Sequence, residues 1–437
     1  MKRKLLSLVL GATMLVGMLA GCGGSNTASN ESASTDAKAE EESTSDTAEL
    51  SGKCEFWNDK LTNTDQSAID ELMASASSAS GMEMECVAYP DTASYQTALQ
   101  QSITTEDAPG LFTWWSGPQL EALAESGNLA DLTEIWDEYV VPNGVADSVK
   151  ESLTFDGKIY AVPYSIIYNM MIYNKNVFAE NNIEIPTTFD EFLAACETLK
   201  SNGITPIALK NDSWAGFIWF QAMLGAYDKD LYMGVCDGSI PYTDEKVVEV
   251  MNIWQDMFDK GYFAEPMQIQ DVDKSLANGT VAMMLEPNYE CKNLTNDYGM
   301  VPEEDMSVFV LPSMNGDKGI IFYEIAPLCV SENSADKESA KEVLKTWYEA
   351  ENQTVFTNVT GFLCTSEVKS ENDTANQMVA LTQETEKYEM VLRYYENTDD
   401  SIRDVALDEF MKVETGAAKA ADILPVIQAK ADEVFGN

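Results

Sequence analysis

Short β-rich runs alternate with helix-length amphipathic segments along most of this chain, and that alternation predicts an α/β fold. The length, 437 residues, exceeds the roughly 250 to 300 that one hydrophobic core serves, so two lobes are expected. Hydrophobic residues at 45% and charged residues at 23% supply enough apolar surface to build both cores.

Strands are expected at 54–57, 82–89, 111–115, 170–173, 206–209, 281–285, 307–311 and 322–330, from their β-branched and aromatic content. The clearest helix start is Thr188-Phe-Asp-Glu191, a capping box in which Thr188 and Glu191 satisfy each other's orphan amides. That helix carries Phe192, Cys196 and Leu199 inward and stops at Gly203. A second has Val247, Val250, Met251, Trp254 and Phe258 at helical spacing, and a third has Val343, Leu344, Trp347 and Tyr348. Strand–helix alternation implies mostly parallel pairing, while the last 60 residues read as helices only.

Composition excludes whole classes of function. Asp plus Glu number 73 against 27 Lys plus Arg, a net charge of −46, so the surface repels phosphate backbones and no nucleic acid is expected as partner. Histidine is absent, which removes Ser-His, Cys-His and His-metal arrangements. No metal-ligand spacing is present, and no cofactor is implied.

The N-terminus reads as an export signal. Lys2, Arg3 and Lys4 precede sixteen uncharged residues, 5–20, short of the roughly 20 that span a bilayer, and then Leu19-Ala20-Gly21-Cys22. This looks like a bacterial lipoprotein signal, 1–21, with Cys22 as the lipid attachment site for diacylglycerol and an amide-linked acyl chain such as palmitate. Residues 22–50 are Ser, Thr, Ala, Asn and Glu-rich, a flexible tether spanning on the order of 30 Å. The expected location is the outer face of the cytoplasmic membrane, held by lipid alone. Seven cysteines follow Cys22 without CxxC spacing, and most sit in apolar runs, as small buried hydrophobes do.

From Asp156-Gly-Lys-Ile-Tyr-Ala-Val-Pro-Tyr164 through Ile172-Tyr-Asn-Lys175 and Pro186-Thr-Thr-Phe-Asp-Glu-Phe192 to Leu276-Ala-Asn-Gly-Thr-Val-Ala-Met283, the order of motifs resembles the extracellular solute-binding proteins of carbohydrate ABC importers. The layout is similar to the maltose-binding archetype from residue 53 onward. The resemblance implies a two-lobed periplasmic-binding-protein-like fold of type II, with a ligand cleft between discontinuous lobes. It places the N-terminal lobe at 51–163 plus 309–366 and the C-terminal lobe at 166–306 plus 376–437. It also implies a monomer that delivers a sugar or oligosaccharide to membrane permease subunits and performs no catalysis.

The aromatic residues suggest a sugar site independently. A sugar ring offers apolar C–H faces and a rim of hydroxyls, so its site needs flat rings and planar hydrogen-bonding groups. Trp57 and Asp59 end the first strand; Trp114 and Trp115 end another before Gly117-Pro118, and alternation turns only one of the pair toward the cleft, Trp114 being the archetype's match. Trp214 opens a helix after Asn211-Asp-Ser213, Tyr289 falls where the archetype stacks a Trp, and Glu286 falls at its Asn. Tyr164 and Glu324 complete the expected ligand-binding set, and Trp219, Trp254 and Trp347 are assigned to the core. Gly117, Pro118 and Ile167 stand where the archetype has charged partners, and Pro287 where a Gly is usual, so the maltose set is incomplete.

Two other functions compete. Asp59, Glu286 and Glu324 also suit a charged solute such as a polyamine or peptide. A carboxylate-based glycoside hydrolase is the third reading, but no paired-acid signature, GxSxG elbow or GxxxxGK loop is present.

Overall fold

The computed structural model describes residues 50, 52–61 and 64–436; the signal segment, Cys22 and all of the tether but Leu50 lie outside them. Nine strands form one mixed sheet. They are β1 (Lys53–Asn58), β2 (Glu83–Ala88), β3 (Leu111–Thr113), β4 (Val162–Asn174), β5 (Thr205–Ile207), β6 (Val281–Pro287), β7 (Met306–Phe309), β8 (Gly319–Val330) and β9 (Tyr388–Leu392). The order is β2-β1-β3-β8-β4-β6-β5, with β9 on β8 and β7 on β4.

Pairing is less parallel than the strand–helix alternation implies. β1 runs parallel to β2 and β3, β5 to β6, and β8 to β9. The two longest strands, β4 and β8, pair antiparallel with each other; β8 also runs antiparallel to β3, and β4 to β6 and β7. Every residue of β4 is buried, so its continuous apolar run is that of a central strand covered on both faces. The C-terminal segment also differs from the all-helical reading: Tyr388-Glu-Met-Val-Leu392 pairs with the start of β8 as β9. Five residues with a strand's length were obscured there by long helices on either side.

The helices that frame the site are α1 (Gln66–Ser80), α2 (Thr92–Ser102), α3 (Pro118–Glu125), α4 (Phe189–Ser201), α5 (Ser213–Tyr227), α6 (Glu245–Asp259), α7 (Ile269–Ala277), α8 (Glu290–Tyr298), α9 (Lys337–Trp347) and α10 (Asp400–Glu414). The capping box on α4 is formed in both directions, Thr188 taking the Glu191 amide and Glu191 the Thr188 amide.

Apolar side chains collect in two cores. One gathers Phe56, Tyr95, Trp136, Tyr164 and Trp347; the other gathers Phe192, Trp219, Phe220, Trp254 and Phe410. Trp219, Trp254 and Trp347 are buried, as core residues. Alternate residues of β4 serve different cores: Met170 and Ile172 face the first, Met171 and Tyr173 the second.

All seven described cysteines are free thiols; Cys54, Cys196, Cys236, Cys291, Cys329 and Cys364 are buried and Cys86 partly so. Burial pushes the Cys86 and Cys236 thiols up to about 12. Among the described residues no helix is long and apolar enough to cross a membrane.

Candidate ligand-binding site

Charged and aromatic side chains converge where parallel strands end, the place where open α/β sheets bind ligands. At the end of β1, Asp59 accepts hydrogen bonds from the Thr113 hydroxyl (2.8 Å) and the Lys60 ammonium (3.2 Å). Lys60 in turn lies 4.4 Å from the Trp115 ring. Trp57 is half-buried against Tyr89 (5.3 Å), and its indole N–H has no hydrogen-bond partner among the described residues.

Across from these, Lys210 follows β5, and its ammonium lies 3.2 Å from Asp212 and 3.5 Å from Glu286, near the end of β6. Asp212 also caps α5, accepting from the amides of Trp214 and Ala215, which fixes Trp214 at the mouth of the helix. Burial pushes the Glu286 carboxyl up to about 7 despite Lys210, because Glu290 and Asp212 add negative charge. Asp273, on α7, is raised by burial and then by Glu290.

The third group centres on Arg393, just beyond β9. Its guanidinium binds both oxygens of Glu396 (2.6 and 2.7 Å) and one of Glu324 on β8 (2.6 Å). It lies 4.9 Å from the Trp214 ring, and Trp214 stacks on Tyr395 at 4.7 Å and 21°. Arg403 covers Tyr395 at 4.0 Å. Tyr289, two residues beyond β6, packs against Phe362 (6.1 Å), and burial raises its phenol. Burial raises the Glu396 carboxyl, and Arg393 opposes that rise.

Asp59, Trp115, Trp214, Glu286 and Glu324 therefore take part in these three groups, with Trp57 at the end of β1 and Tyr289 just beyond β6. Two expected residues lie elsewhere. Tyr164 is fully buried against Phe56, Trp347, Phe356 and Phe362, because its ring fills the first core instead of facing a ligand. Trp114 packs edge-on against Trp115 (5.0 Å) just beyond β3 but does not share its Lys60 contact, and its indole N–H donates to the Gln119 carbonyl (3.2 Å). The Lys60 contact thus falls to Trp115 and not to Trp114.

The departures from the archetype acquire physical reasons. Ile167 offers no carboxylate, but Glu324 sits directly across the β4–β8 ladder from it. Pro287 closes β6 opposite Asn169, and the next residue, Asn288, fixes the turn by exchanging hydrogen bonds with the backbone of Tyr168. At Gly117 an added Cβ would lie 1.9 Å from the Glu396 carbonyl oxygen, so glycine is what allows this close approach.

Lys210, Arg393, Tyr395, Glu396 and Arg403 escape a reading for strand-end aromatics. A signal existed: the chain has only three arginines, and Arg393 and Arg403 flank Tyr394-Tyr-Glu396.

Residues 71–383 match the family model described as bacterial extracellular solute-binding protein. The diacetylchitobiose binding protein of Streptomyces coelicolor is 27% identical over 259 residues, 56% of this chain and 59% of that relative. The maltotriose-binding protein of Pyrococcus abyssi is 31% identical over 156 residues, 34% of this chain and 30% of its own length. The chain thus spans less than two thirds of the curated relatives it matches. Among solved structures, a chitin oligosaccharide binding protein superposes with a TM-score of 0.74 at 19% identity, covering 88% of this chain and 99% of the other. The solute receptor AcbH, whose reported preference is β-D-galactopyranose, gives 0.72 at 19% identity over the same shares. These likenesses establish the two-lobed periplasmic-binding fold, and the chain belongs to the bacterial extracellular solute-binding proteins.

Proposed function

We propose that this chain captures a neutral sugar or oligosaccharide outside the membrane and delivers it to the permease of an ABC importer. The observation that carries the reading is charge pairing. Each acid that would suit a cationic solute already faces a resident cation: Asp59 has Lys60, Glu286 has Lys210, and Glu324 has Arg393. A polyamine would have to displace buried partners, whereas a sugar needs only hydrogen bonds from the paired groups and the faces of Trp57, Trp214 and Tyr289. The family is one of binding proteins, which favours capture over glycoside hydrolysis. The relatives named for diacetylchitobiose and maltotriose support the carbohydrate class.

In this reading the lobes are 51–163 plus 309–366 and 166–306 plus 376–437, and the protein works as a monomer. Cys22 carries the lipid that holds it at the outer face of the cytoplasmic membrane; Cys22→Ala should abolish labelling by a palmitate analogue, and retained labelling would refute the anchor.

Ligand class is tested by melting temperature, with sugars, polyamines and short peptides compared side by side. A ligand at a hundred times its Kd stabilises by about 2.7 kcal/mol, a shift of several degrees. A sugar should give it and spermidine should not; a shift with spermidine and none with any sugar would overturn the proposal.

A further inference from the structure

A run of neighbouring aromatic rings leads from Trp57 to Trp114. From Trp57 the rings pass to Tyr89 and Tyr95, each step 5.3 Å, and then to Trp115 (6.1 Å) and Trp114 (6.2 Å). Trp114 forms part of the wall of a groove of about 580 Å³ between α2 and α3, with Asp399 and Asp400 at the head of α10 on its far side. That volume falls within the roughly 300–1,000 Å³ of small-molecule sites.

The lining of the groove has a sugar's chemistry. Gln96, Gln100 and Gln119 bring planar amides, Trp114 an indole, and no cation lines it. Arg403 holds Asp400 at 2.7 Å, so that carboxylate is oriented before anything binds. Groove and charged groups adjoin along one seam: Gly117 meets the Glu396 carbonyl, and the Gln119 amide lies 3.4 Å from Asp400. Glu396 therefore touches Arg393 on one side of the seam and the start of α3 on the other.

Resting on the carbohydrate reading above, we infer that the ligand is an oligosaccharide longer than a disaccharide, whose outer units run alongside the closed Gly117–Glu396 contact and lie in the Trp114 groove. Trp114 is thus a residue for the outer sugars, while Trp57, Trp214 and Tyr289 serve the inner ones. Gln96 and Gln100 project from α2, outside the charged groups, so they select for chain length without touching the inner units.

Calorimetry with chito-, malto- and xylo-oligosaccharides, from monosaccharide to pentasaccharide, tests this on the intact protein and on the double variant Gln96→Ala/Gln100→Ala. In the series that binds, Kd should fall about tenfold or more beyond the disaccharide. The double variant should lose most of that gain and keep its disaccharide affinity. Equal affinity for the disaccharide and longer chains, or a double variant that keeps the whole gain, would overturn the length assignment while leaving the carbohydrate reading in place. Binding of no saccharide in any series would instead overturn the carbohydrate reading, and the length assignment with it.

Discussion

Arg393→Met removes a cation at the junction of three elements while keeping much of its volume. Arg393 is 5% exposed, Glu396 2% and Glu324 9%, so the variant leaves two buried carboxylates facing each other without a counter-charge. Deleting one partner of a buried ion pair costs about 3–5 kcal/mol, and losing the guanidinium from the Trp214 face adds about 0.5–1 kcal/mol. The expected loss near pH 8 is about 4 kcal/mol. Burial already raises the Glu396 carboxyl, with Arg393 opposing that rise, so removing Arg393 raises it further. A carboxyl whose folded pKa exceeds its unfolded value weakens folding as pH climbs through the interval between them, and protonation relieves the loss as pH falls. The penalty should therefore shrink by half or more near pH 5. Urea unfolding followed by tryptophan fluorescence reads both values from the midpoints at constant m. Adding Glu324→Gln and Glu396→Gln should restore most of the stability. A loss below about 1 kcal/mol at pH 8, or the same loss at both pH values, would refute the assignment of Arg393 as the shared counter-charge.

Two further outcomes follow from the same electrostatics and packing. Burial pushes the Glu414 carboxyl up to about 9, with Asp212 adding to the effect, so wild-type stability should fall as pH rises from about 5 to 9 and Glu414→Gln should flatten that slope; a variant that keeps the wild-type slope would count against it. Gly117→Ala places a methyl group 1.9 Å from the Glu396 carbonyl, which should prevent the seam from closing and abolish ligand-induced compaction in small-angle scattering, an expectation that wild-type compaction in the variant would contradict.

The sequence was most informative where local pattern and burial agree. The capping box at Thr188, the stripe on α6 and the core tryptophans are set by neighbours within a few positions, and each is where periodicity puts it. Strand direction is different in kind: the antiparallel crossing of β4 and β8 joins residues about 150 positions apart, and no local pattern encodes which way they meet. The site shows the same division. Trp57, Trp214 and Tyr289 are visible as aromatics at element ends, whereas Arg393 joins the candidate site only when folding brings it against Glu324, and Lys210 only when β5 is laid beside β6. Trp114 and Trp115 are neighbours in sequence and in contact, and which of them meets a charged group is decided by Lys60, 55 positions before Trp115.

The seven free thiols have a consequence for the protein's lifetime outside a cell. With the thiolate form suppressed by burial, an oxidant reaches these sulfurs chiefly when the chain opens, so resistance to oxidation is set by the rate and extent of opening and not by any redox buffer. Cys86, being partly exposed, is the point of entry. Once one chain has opened fully, its sulfurs are free to cross-link in pairs that the native fold never brings together, and the way back is blocked. Thermal unfolding should then be a one-way process in air and a reversible one under reductant, which makes kinetic rather than equilibrium stability the quantity that governs how long each molecule remains able to bind.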